Sequence, residues 1–307
     1  MLALRSTLVI DALDEAGLAA AARSAADAVT IDLGSPSVHG RRAQARAAAA
    51  QAIRAIAAAD RPVHVRVSDA RSGQLEGDLD AILSADGVAA EVGAHVAAIV
   101  LSGAELPQDV RDIDVAIRKR EMRLGLAPGG IRLIPEIDSA AGLANLARTL
   151  DAVDRHSGVA LAIDGLREDL RLGDATTLYE HAMADVALAA RTAGVPWTLA
   201  ITHHRPETST LPARAQEFGA AGVTVHTEEE VAAINALFTP DAAEVAIARA
   251  MLAEWDRVRE RGEWVGVVAG EMPEASTYDR LVDRRTVRRA RALIAYADVI
   301  AAREAAR

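Results

Sequence analysis

Short runs of β-branched and apolar residues alternate along the chain with longer, alanine-rich runs that have helical spacing. Eight runs of the first kind predict strands at Thr7–Asp11, Ala28–Leu33, Val63–Val67, Ala97–Ser102, Arg132–Asp138, Val159–Asp164, Trp197–Thr202 and Val223–His226. The runs between them predict helices near Asp14–Ser24, Arg41–Ala59, Leu79–Ala90, Asp109–Arg120, Ala140–Val153, Thr176–Thr192 and Pro212–Phe218. Eight alternating βα units favour a parallel sheet closed into a (β/α)8 TIM barrel over a doubly wound open sheet.

The C-terminal part of the chain has a different pattern. Thr227 and Glu230 have the spacing of a capping box, and Pro240 is expected at the first position of a further helix. Residues 262–282 predict an irregular, partly extended arm, and Thr286–Ala302 predicts a last helix. We therefore expect a barrel over residues 1–260 and, over residues 261–307, an arm and helix that pack on the barrel or on a neighbouring subunit.

Composition narrows the class of protein. Of 307 residues, 51% are apolar, so a large core is expected, and the net charge of −10 argues against binding to nucleic acid or to an anionic membrane. Cysteine is absent, which excludes disulfides and thiolate chemistry. No signal peptide or transmembrane span is predicted, so a cytoplasmic location is expected. No Walker or GxGxxG sequence follows a predicted strand.

The fifth predicted strand and the turn after it, Ile131–Gly142, carry the clearest chemical signal. Side chains alternate between the two faces of a strand, so Leu133, Pro135 and Ile137 share one face while Ile134, Glu136 and Asp138 share the other. Ser139 is placed to cap a helix that starts at Ala140. The strand thus ends in two carboxylates that point the same way.

The same alternation places polar side chains on the inward face of the other strands. His64 and Arg66 point inward between outward valines, and Asp32 and Asp164 point inward at the ends of their strands. Further residues of inward parity are Asp11, Ser102, Thr202, His204, Thr224 and His226. Barrel enzymes have their active sites at the C-terminal ends of the strands, where these side chains gather.

Up to five carboxylates would share this mouth: Asp11, Asp32, Glu136, Asp138 and Asp164. Carboxylates as close together as this do not all stay ionised unless a positive charge lies among them. Arg66 or a hard divalent metal ion would provide that positive charge. Asp11 and Asp32 also fit as helix caps or solvated loop residues. The histidines at 203, 204 and 226 fit either as ligands or bases, or as solvated loop residues.

An ordered series of segments resembles the citrate lyase beta-subunit branch of the HpcH/HpaI aldolase family. The segments are Arg5-Ser6, DAVTIDL at 27–33 (family DAVILDLED), VRV at 65–67 (VRVN), LIPEIDSA at 133–140 (LIPLIETA), LY at 178–179 with AARTAGVP at 189–196 (LLY…AARAAGLP), VH at 225–226 with INALFTP at 234–240 (IHP…VNAAFTP), and LVD at 281–283 with VRRA at 287–290 (MVDRPVVRRA). The series covers nearly the whole chain.

The resemblance implies a (β/α)8 barrel, often a trimer, that makes or breaks a carbon–carbon bond beside an acyl-CoA thioester. It implies that Arg66 binds the carboxylate of the substrate. It also implies a Mg²⁺ ion that is held by the glutamate of "IET" and by an aspartate after the sixth strand, and that stabilises an enolate-like charge. Asp283 of the closing arm is implied as a catalytic acid or base.

Several site positions depart from the family pattern. The later acids of DLED are replaced by Gly34 and Ser35, and the metal glutamate is the shorter Asp138. Without a gap, Arg167 stands at the position of the metal aspartate, and Asp169 or Asp164 are the alternatives. The lysine of "LPK" and the "VPG" turn are also missing, at residues 101–103 and 10–12. Glu136 adds an acid where the family has an apolar residue.

Two hypotheses follow. The leading one is a metal-assisted carbon–carbon lyase that acts on a short carboxylated substrate such as an acyl-CoA thioester. In this hypothesis Glu136, Asp138 and Asp164 hold Mg²⁺, Arg66 and Asp283 are catalytic, and the substrate is bound by Arg66, Asp32, Arg167 and His226. The second is a family member that binds a carboxylated ligand without metal-dependent lysis. Either is expected to be a homo-oligomer, with a trimer favoured.

Overall fold

The chain folds around a closed barrel of eight parallel strands, seen in a computed structural model that describes residues 4–59, 61–84, 92–172, 177–201, 209–268 and 281–305. The strands are β1 (Ser6–Asp11), β2 (Ala28–Asp32), β3 (Val63–Val67), β4 (Val96–Leu101), β5 (Arg132–Ile137), β6 (Val159–Ala162), β7 (Trp197–Ala200) and β8 (Gly222–Val225). Each pairs with the next in parallel, and β8 pairs with β1. The predicted (β/α)8 fold is confirmed.

Helices lie between the strands and follow the last one. They are α1 (Glu15–Ala21), α2 (Arg42–Ala57), α3 (Leu75–Leu83), α4 (Pro107–Leu124), α5 (Ala140–Leu150), α6 (Ile163–Leu170), α7 (Thr177–Ala193), α8 (Leu211–Glu217), α9 (Glu228–Phe238), α10 (Ala242–Glu260) and α11 (Arg284–Ala305). Two short 3₁₀ helices lie at Pro36–Val38 and Gly93–His95. Most of the predicted elements are found within a few residues of their expected bounds.

The largest difference from the sequence prediction lies after β6. This strand ends at Ala162, and α6 begins at the next residue, Ile163. The alternating apolar residues had indicated a strand as far as Asp164, whereas the structure places Asp164 in the first turn of a helix. The prediction of a strand as far as Asp164 was therefore wrong, and strand parity does not apply to this residue.

Three predicted helix starts can be examined in atomic terms. The Ser139 hydroxyl accepts a hydrogen bond from Gly142 N at 3.1 Å and caps α5 as expected. Thr227 and Glu230 form the predicted capping box, with Glu230 N donating to the Thr227 hydroxyl at 3.3 Å and Thr227 N donating to the Glu230 carboxylate at 3.0 Å. The cap of α10 is Asp241, so Pro240 lies before the cap and not at the first helical position.

Contacts divide the chain into two compact units, Leu4–Leu237 and Phe238–Arg307. The first contains the barrel. The second contains the packed pair of helices α10 and α11 and a short antiparallel pair, β9 (Gly266–Val267) and β10 (Leu281–Val282). Its core consists of Trp255, Val258, Val268, Val282 and Val287. The expected boundary near residue 260, and the packing of the arm on the barrel or on another subunit, stay predictions.

One stretch, Glu228–Glu260, is long and apolar enough to cross a membrane by length and mean hydropathy (1.3) alone. It is not one continuous helix, because α9 ends at Phe238 and α10 starts at Ala242, with Pro240 between them. The stretch therefore gives only weak evidence of a membrane span.

Two buried ion networks lie in the barrel unit at the N-terminal ends of the strands, away from the C-terminal mouth. Arg5 donates through Nε and Nη2 to the Asp27 carboxylate at 2.9 and 3.0 Å, and both side chains are buried. Arg155 donates to Asp114, to both oxygens of Glu121 at 3.1 Å and to the carbonyl of Ile131 at 2.5 Å. Buried charges of this kind are costly unless they are paired, and here each guanidinium is matched by carboxylates.

His64 lies on the inward face of β3, beside Thr30 of β2 and Ala98 of β4. It is only 4% exposed, and burial lowers its pKa to about 4. Because burial disfavours the charged form, the folded barrel holds this imidazole neutral at physiological pH.

We expect His64 to make the fold sensitive to acid. The unfolded chain takes up a proton near pH 6.5 while the folded chain does so only near pH 4. Stability is therefore lost as the pH falls between these values, by about 3 kcal/mol in total. Urea unfolding of the wild type and of His64→Gln between pH 7.5 and 4.5 tests this. An equally steep loss in both proteins would show that other groups cause the sensitivity.

Candidate active site at the C-terminal mouth of the barrel

Adjacent strands bring three charged side chains together near the C-terminal ends of β2, β3 and β5. Asp32 and Arg66 are register partners on β2 and β3, so their side chains leave the sheet on the same face. Glu136 lies on β5 next to Ala160 of β6 and has the same parity as Ile134. Beside these charged groups, Ala98, Val100, Ile134 and Ala160 form a small apolar cluster.

Arg66 is the centre of this group. Its Nε donates to both oxygens of Glu136 at 3.1 Å, and its Nη2 donates to Glu136 Oε1 at 2.5 Å and to the Ser102 hydroxyl at 2.7 Å. Its Nη1 donates to the Asp32 carboxylate at 3.2 and 3.4 Å. The three predicted residues Asp32, Arg66 and Glu136 thus meet, but they do so by binding one another.

These contacts take up most of the donors of Arg66. A guanidinium has five N–H hydrogens, and the contacts to Glu136, Ser102 and Asp32 account for four of them. A Cβ added to Gly34 would lie 2.9 Å from Nη1, so the turn after β2 lies directly against that edge. Arg66 is therefore held in one position by its surroundings.

Burial and charge act against each other in this group. Burial raises the pKa of Asp32, Arg66 opposes this increase, and Glu136 adds to it. Burial alone would lower the pKa of Arg66, but Glu136 and Asp32 outweigh it and the pKa is raised. One guanidinium therefore faces two carboxylates, and the guanidinium stays charged.

Asp138 follows β5 and is half-buried at the mouth. A Cβ added to Gly165, in the first turn of α6, would lie 2.7 Å from the Cβ of Asp138. Only glycine allows the backbone of α6 to come this close. Gly103, with a φ of +60°, lies on the other side, where an added Cβ would be 3.6 Å from Asp138 Oδ2. Two glycines thus let the neighbouring turns pack closely against Asp138.

The electrostatic environment distinguishes Asp138 from the other acids. Burial and the nearby Glu136 raise its pKa to about 6, while Arg66 lowers it and Glu105 raises it further. Across the described residues, no Arg or Lys lies within ion-pair distance of its carboxylate. Asp138 is thus an ionisable group with a pKa close to neutrality and, among the described residues, no cationic ion-pair partner, which suits a proton-transfer role.

Arg71 and Glu105 add a second ion pair beside Gly103. Arg71 Nη1 donates to Glu105 at 2.6 Å, and Nη2 donates to the Gly103 carbonyl at 3.4 Å. This pair links the turn that follows β3 to the turn that follows β4, which contains Gly103. Arg71 is half exposed, so the pair contributes less to stability than a buried one.

Other predicted residues have local structural roles. Asp11 accepts hydrogen bonds from Leu13 N at 2.8 Å and from the Ser37 hydroxyl, as a turn residue does. Asp169 accepts from Ala140 N at 2.8 Å and so binds the start of α5. Arg167 lies half-buried in α6, three residues after Asp164. Its predicted role in substrate binding stays a prediction.

The remaining candidates are spread over the chain. His226 follows β8, and its backbone N–H donates to Glu230 at 2.7 Å. Asp283 caps α11 by accepting from the N–H groups of Arg285 and Thr286 at 2.8 and 2.9 Å, and the bonds from Thr286 lower its pKa. Catalysis by Asp283 stays a prediction. Residues 202–204, which include Thr202, His203 and His204, lie outside the described residues.

The geometry can be compared with the requirements of Mg²⁺, which prefers carboxylate and water oxygens in an octahedral arrangement. Both oxygens of Glu136 accept from Arg66, so this carboxylate is already engaged. Within the part of the chain that the structure describes, no three His, Asp or Glu side chains are grouped as a metal site. The set Glu136, Asp138 and Asp164 does not fit Mg²⁺ in this arrangement, and it stays a prediction from the sequence.

Sequence reasoning missed the glycines and the second ion pair. Gly103 and Gly165 matter because of what approaches them, and no periodic pattern marks such a position. Glu105 and Arg71 lie in turns, where strand alternation does not apply. The start of α6 did have a signal: Ile163, Leu166 and Leu170 have the spacing of an apolar helix face, and the first two are buried.

Three solved structures with the same fold are similar to this chain over most of its length. A citrate lyase from Burkholderia xenovorans has 18% identity and a TM-score of 0.76, covering 98% of this chain and 93% of that one. Mycobacterium tuberculosis CitE, in complex with magnesium, acetoacetate and coenzyme A, has 19% identity and a TM-score of 0.67, covering 95% and 97%. Haloferax volcanii malate synthase, in a magnesium and glyoxylate complex, has 16% identity and a TM-score of 0.66, covering 79% and 77%.

At these identities the structures establish only the fold. A sequence comparison with curated proteins found no significant match. A family model for HpcH/HpaI aldolase/citrate lyase matches residues 5–229, which include all eight strands and the residues of the mouth. Because this match spans well over half of the sequence and agrees with the closed barrel, the chain belongs to the HpcH/HpaI aldolase/citrate lyase family.

Proposed function

We propose that this chain makes or breaks a carbon–carbon bond next to a carbonyl group of a small molecule held at the barrel mouth. The observation that carries the proposal is Asp138, a half-buried carboxylate at the end of β5 that has its pKa raised to about 6 and lies against the glycine backbone at Gly165. Such a group is ionised at neutral pH and returns a proton readily. The family and its structural neighbours support this class of reaction.

In the cleavage direction, the Asp138 carboxylate takes the proton of a hydroxyl group on the carbon next but one to the carbonyl. The bond between the hydroxyl-bearing carbon and the carbon adjacent to the carbonyl breaks, which leaves a new carbonyl on one fragment and an enolate on the other. Asp138 then returns its proton to the enolate carbon. Condensation is the same sequence in reverse, and neither direction needs an oxidant or a reductant.

The enolate oxygen needs a partner for its charge, and Ser102 is placed to provide one. Its hydroxyl oxygen accepts from Arg66 Nη2 at 2.7 Å, so its own hydrogen is available to donate. Hydrogen-bond donors that are fixed before the reaction stabilise a developing oxyanion efficiently. Arg66, held by Asp32 and Glu136, fixes the position of Ser102 in turn.

A second candidate is binding without lysis. The observation that favours it is the pairing of Arg66 with Glu136, because this pairing takes up the side chain expected to contact a substrate. A site with that guanidinium engaged and without the expected metal arrangement fits a protein that retains the pocket but not the reaction. This candidate predicts ligand binding and no turnover.

Incubation of the protein with a panel of short 3-hydroxy acids and their CoA thioesters separates these candidates. We expect release of a carbonyl fragment, seen by mass spectrometry, that is unchanged by EDTA or by added Mg²⁺. Cleavage that requires Mg²⁺ would restore the metal hypothesis and its predicted ligands. Binding of panel members in calorimetry without any cleavage would support the second candidate. The acyl-CoA substrate, the homotrimer and the cytoplasmic location stay proposals.

A further inference from the structure

Glu136 is held at the mouth by contacts of both its carboxylate oxygens with Arg66. Its two oxygens receive three contacts from Arg66, the shortest of them 2.5 Å, while its side chain is 8% exposed. Two-oxygen pairing of this kind is the arrangement that a guanidinium makes with any carboxylate, including that of a bound ligand. Glu136 therefore occupies the edge of Arg66 that an external carboxylate would use.

Most of the other donors of Arg66 are engaged as well. Asp32 occupies Nη1, Ser102 shares Nη2, and the turn at Gly34 lies against the same edge. An incoming carboxylate would have to displace Glu136, which is fixed to the barrel through β5 and cannot leave as a free ligand does. Displacement would also leave a buried carboxylate without its partner, which is costly.

The charges around Arg66 also disfavour the binding of an anion. Arg66 contributes one positive charge and is paired with two acidic side chains, Asp32 and Glu136. Asp138 lies close enough to Glu136 and Arg66 for both to influence it, and it adds further negative charge at neutral pH. The local field therefore repels an anion at this point and favours an uncharged or cationic group.

We propose that Glu136 is a specificity-determining residue that acts as a built-in counter-ion of Arg66, so that the mouth accepts an uncharged carbonyl or hydroxyl group at this point and rejects a carboxylate. This inference rests on the proposed function only for the location of the site. It revises the expectation that Arg66 binds the carboxylate of a substrate, since Glu136 already fills that place.

The test removes the Glu136 carboxylate from its position beside Arg66 and adds a small free carboxylate, acetate, that could bind there instead. Glu136→Ala removes the carboxylate and leaves space beside Arg66, whereas Glu136→Gln removes the charge but keeps the space filled. Thermal unfolding of both variants and of the wild type is measured in sodium acetate and in sodium chloride of equal ionic strength. A double variant, Arg66→Met with Glu136→Ala, removes the guanidinium as well.

We expect acetate to raise the unfolding temperature of Glu136→Ala above its value in chloride, with at least about tenfold tighter binding than to the wild type. The wild type, Glu136→Gln and the double variant should respond equally to the two salts. If Glu136→Ala does not fold in chloride, its refolding yield in acetate becomes the measurement. An equal acetate response of the wild type, or none in Glu136→Ala, would overturn the proposal. No turnover is measured, so an inactive protein can still meet this test.

Discussion

Replacing Arg155 with Met is expected to lower the free energy of unfolding by about 3–5 kcal/mol, because it leaves the buried Glu121 without its ion-pair partner and Asp114 with only the exposed Arg118. Arg155 is 3% exposed and binds Asp114, Glu121 and the carbonyl of Ile131. Methionine fills a similar volume but supplies none of these hydrogen bonds. The loss therefore reports the uncompensated charges and not an empty cavity.

Urea unfolding at pH 7 measures this effect, and Arg257→Met is the matched control. Arg257 is 64% exposed and forms a surface ion pair with Glu254 at 3.0 Å. Exposed pairs of this type contribute about 0–1 kcal/mol. A loss in Arg155→Met no larger than in the control would mean that Asp114 and Glu121 find other partners or water when the guanidinium is removed.

Replacing Asp138 with Asn is expected to lower kcat/KM by about 10²–10⁴-fold, because the amide cannot take a proton from the substrate. The wild-type kcat/KM should also fall about tenfold per pH unit below the Asp138 pKa of about 6. Asp11→Asn is the control. This second acid at the rim already accepts bonds from Leu13 N and Ser37, so we expect its replacement to leave most of the activity.

Stability provides an independent measurement on the same variant. The folded-state pKa of Asp138 is above its ordinary value, so the ionised form destabilises the fold and this cost is present above pH 6. Because the side chain is half-buried, solvent screens part of the effect, and we expect Asp138→Asn to gain about 1 kcal/mol at pH 7. Reduced activity together with reduced stability would instead indicate a structural role for Asp138.

The sequence was informative where a strand forces side chains to alternate. Alternation along the strands predicts from the sequence alone that Asp32, Arg66 and Glu136 share one face, because each side chain of a strand points to one of only two faces. Alternation does not specify which groups a side chain contacts in the interior of the barrel. That Arg66 binds Glu136, and not an external ligand, depends on the distance between β3 and β5 across the barrel, which no local pattern contains.

Sequence reasoning failed where one element changes into another. The residues after Val159 alternate well enough for a strand, yet β6 ends after four residues and α6 begins without a loop. The helix period over Ile163, Leu166 and Leu170 competes with the strand period over the same residues, and the helix prevails. The position of Asp164 therefore could not be obtained from strand alternation.

The Arg155 network has a consequence for the mouth at the opposite end of β5. Ile131, just before the strand, is held at both backbone groups: its N–H donates to Glu121 at 2.9 Å and its carbonyl accepts from Arg155 at 2.5 Å. A shift of β5 by one residue would turn Pro135 and Ile137 toward the axis and carry Glu136 and Asp138 to the helix side. The ion network at the base thus fixes the register of β5 and, with it, which of its side chains face the barrel mouth.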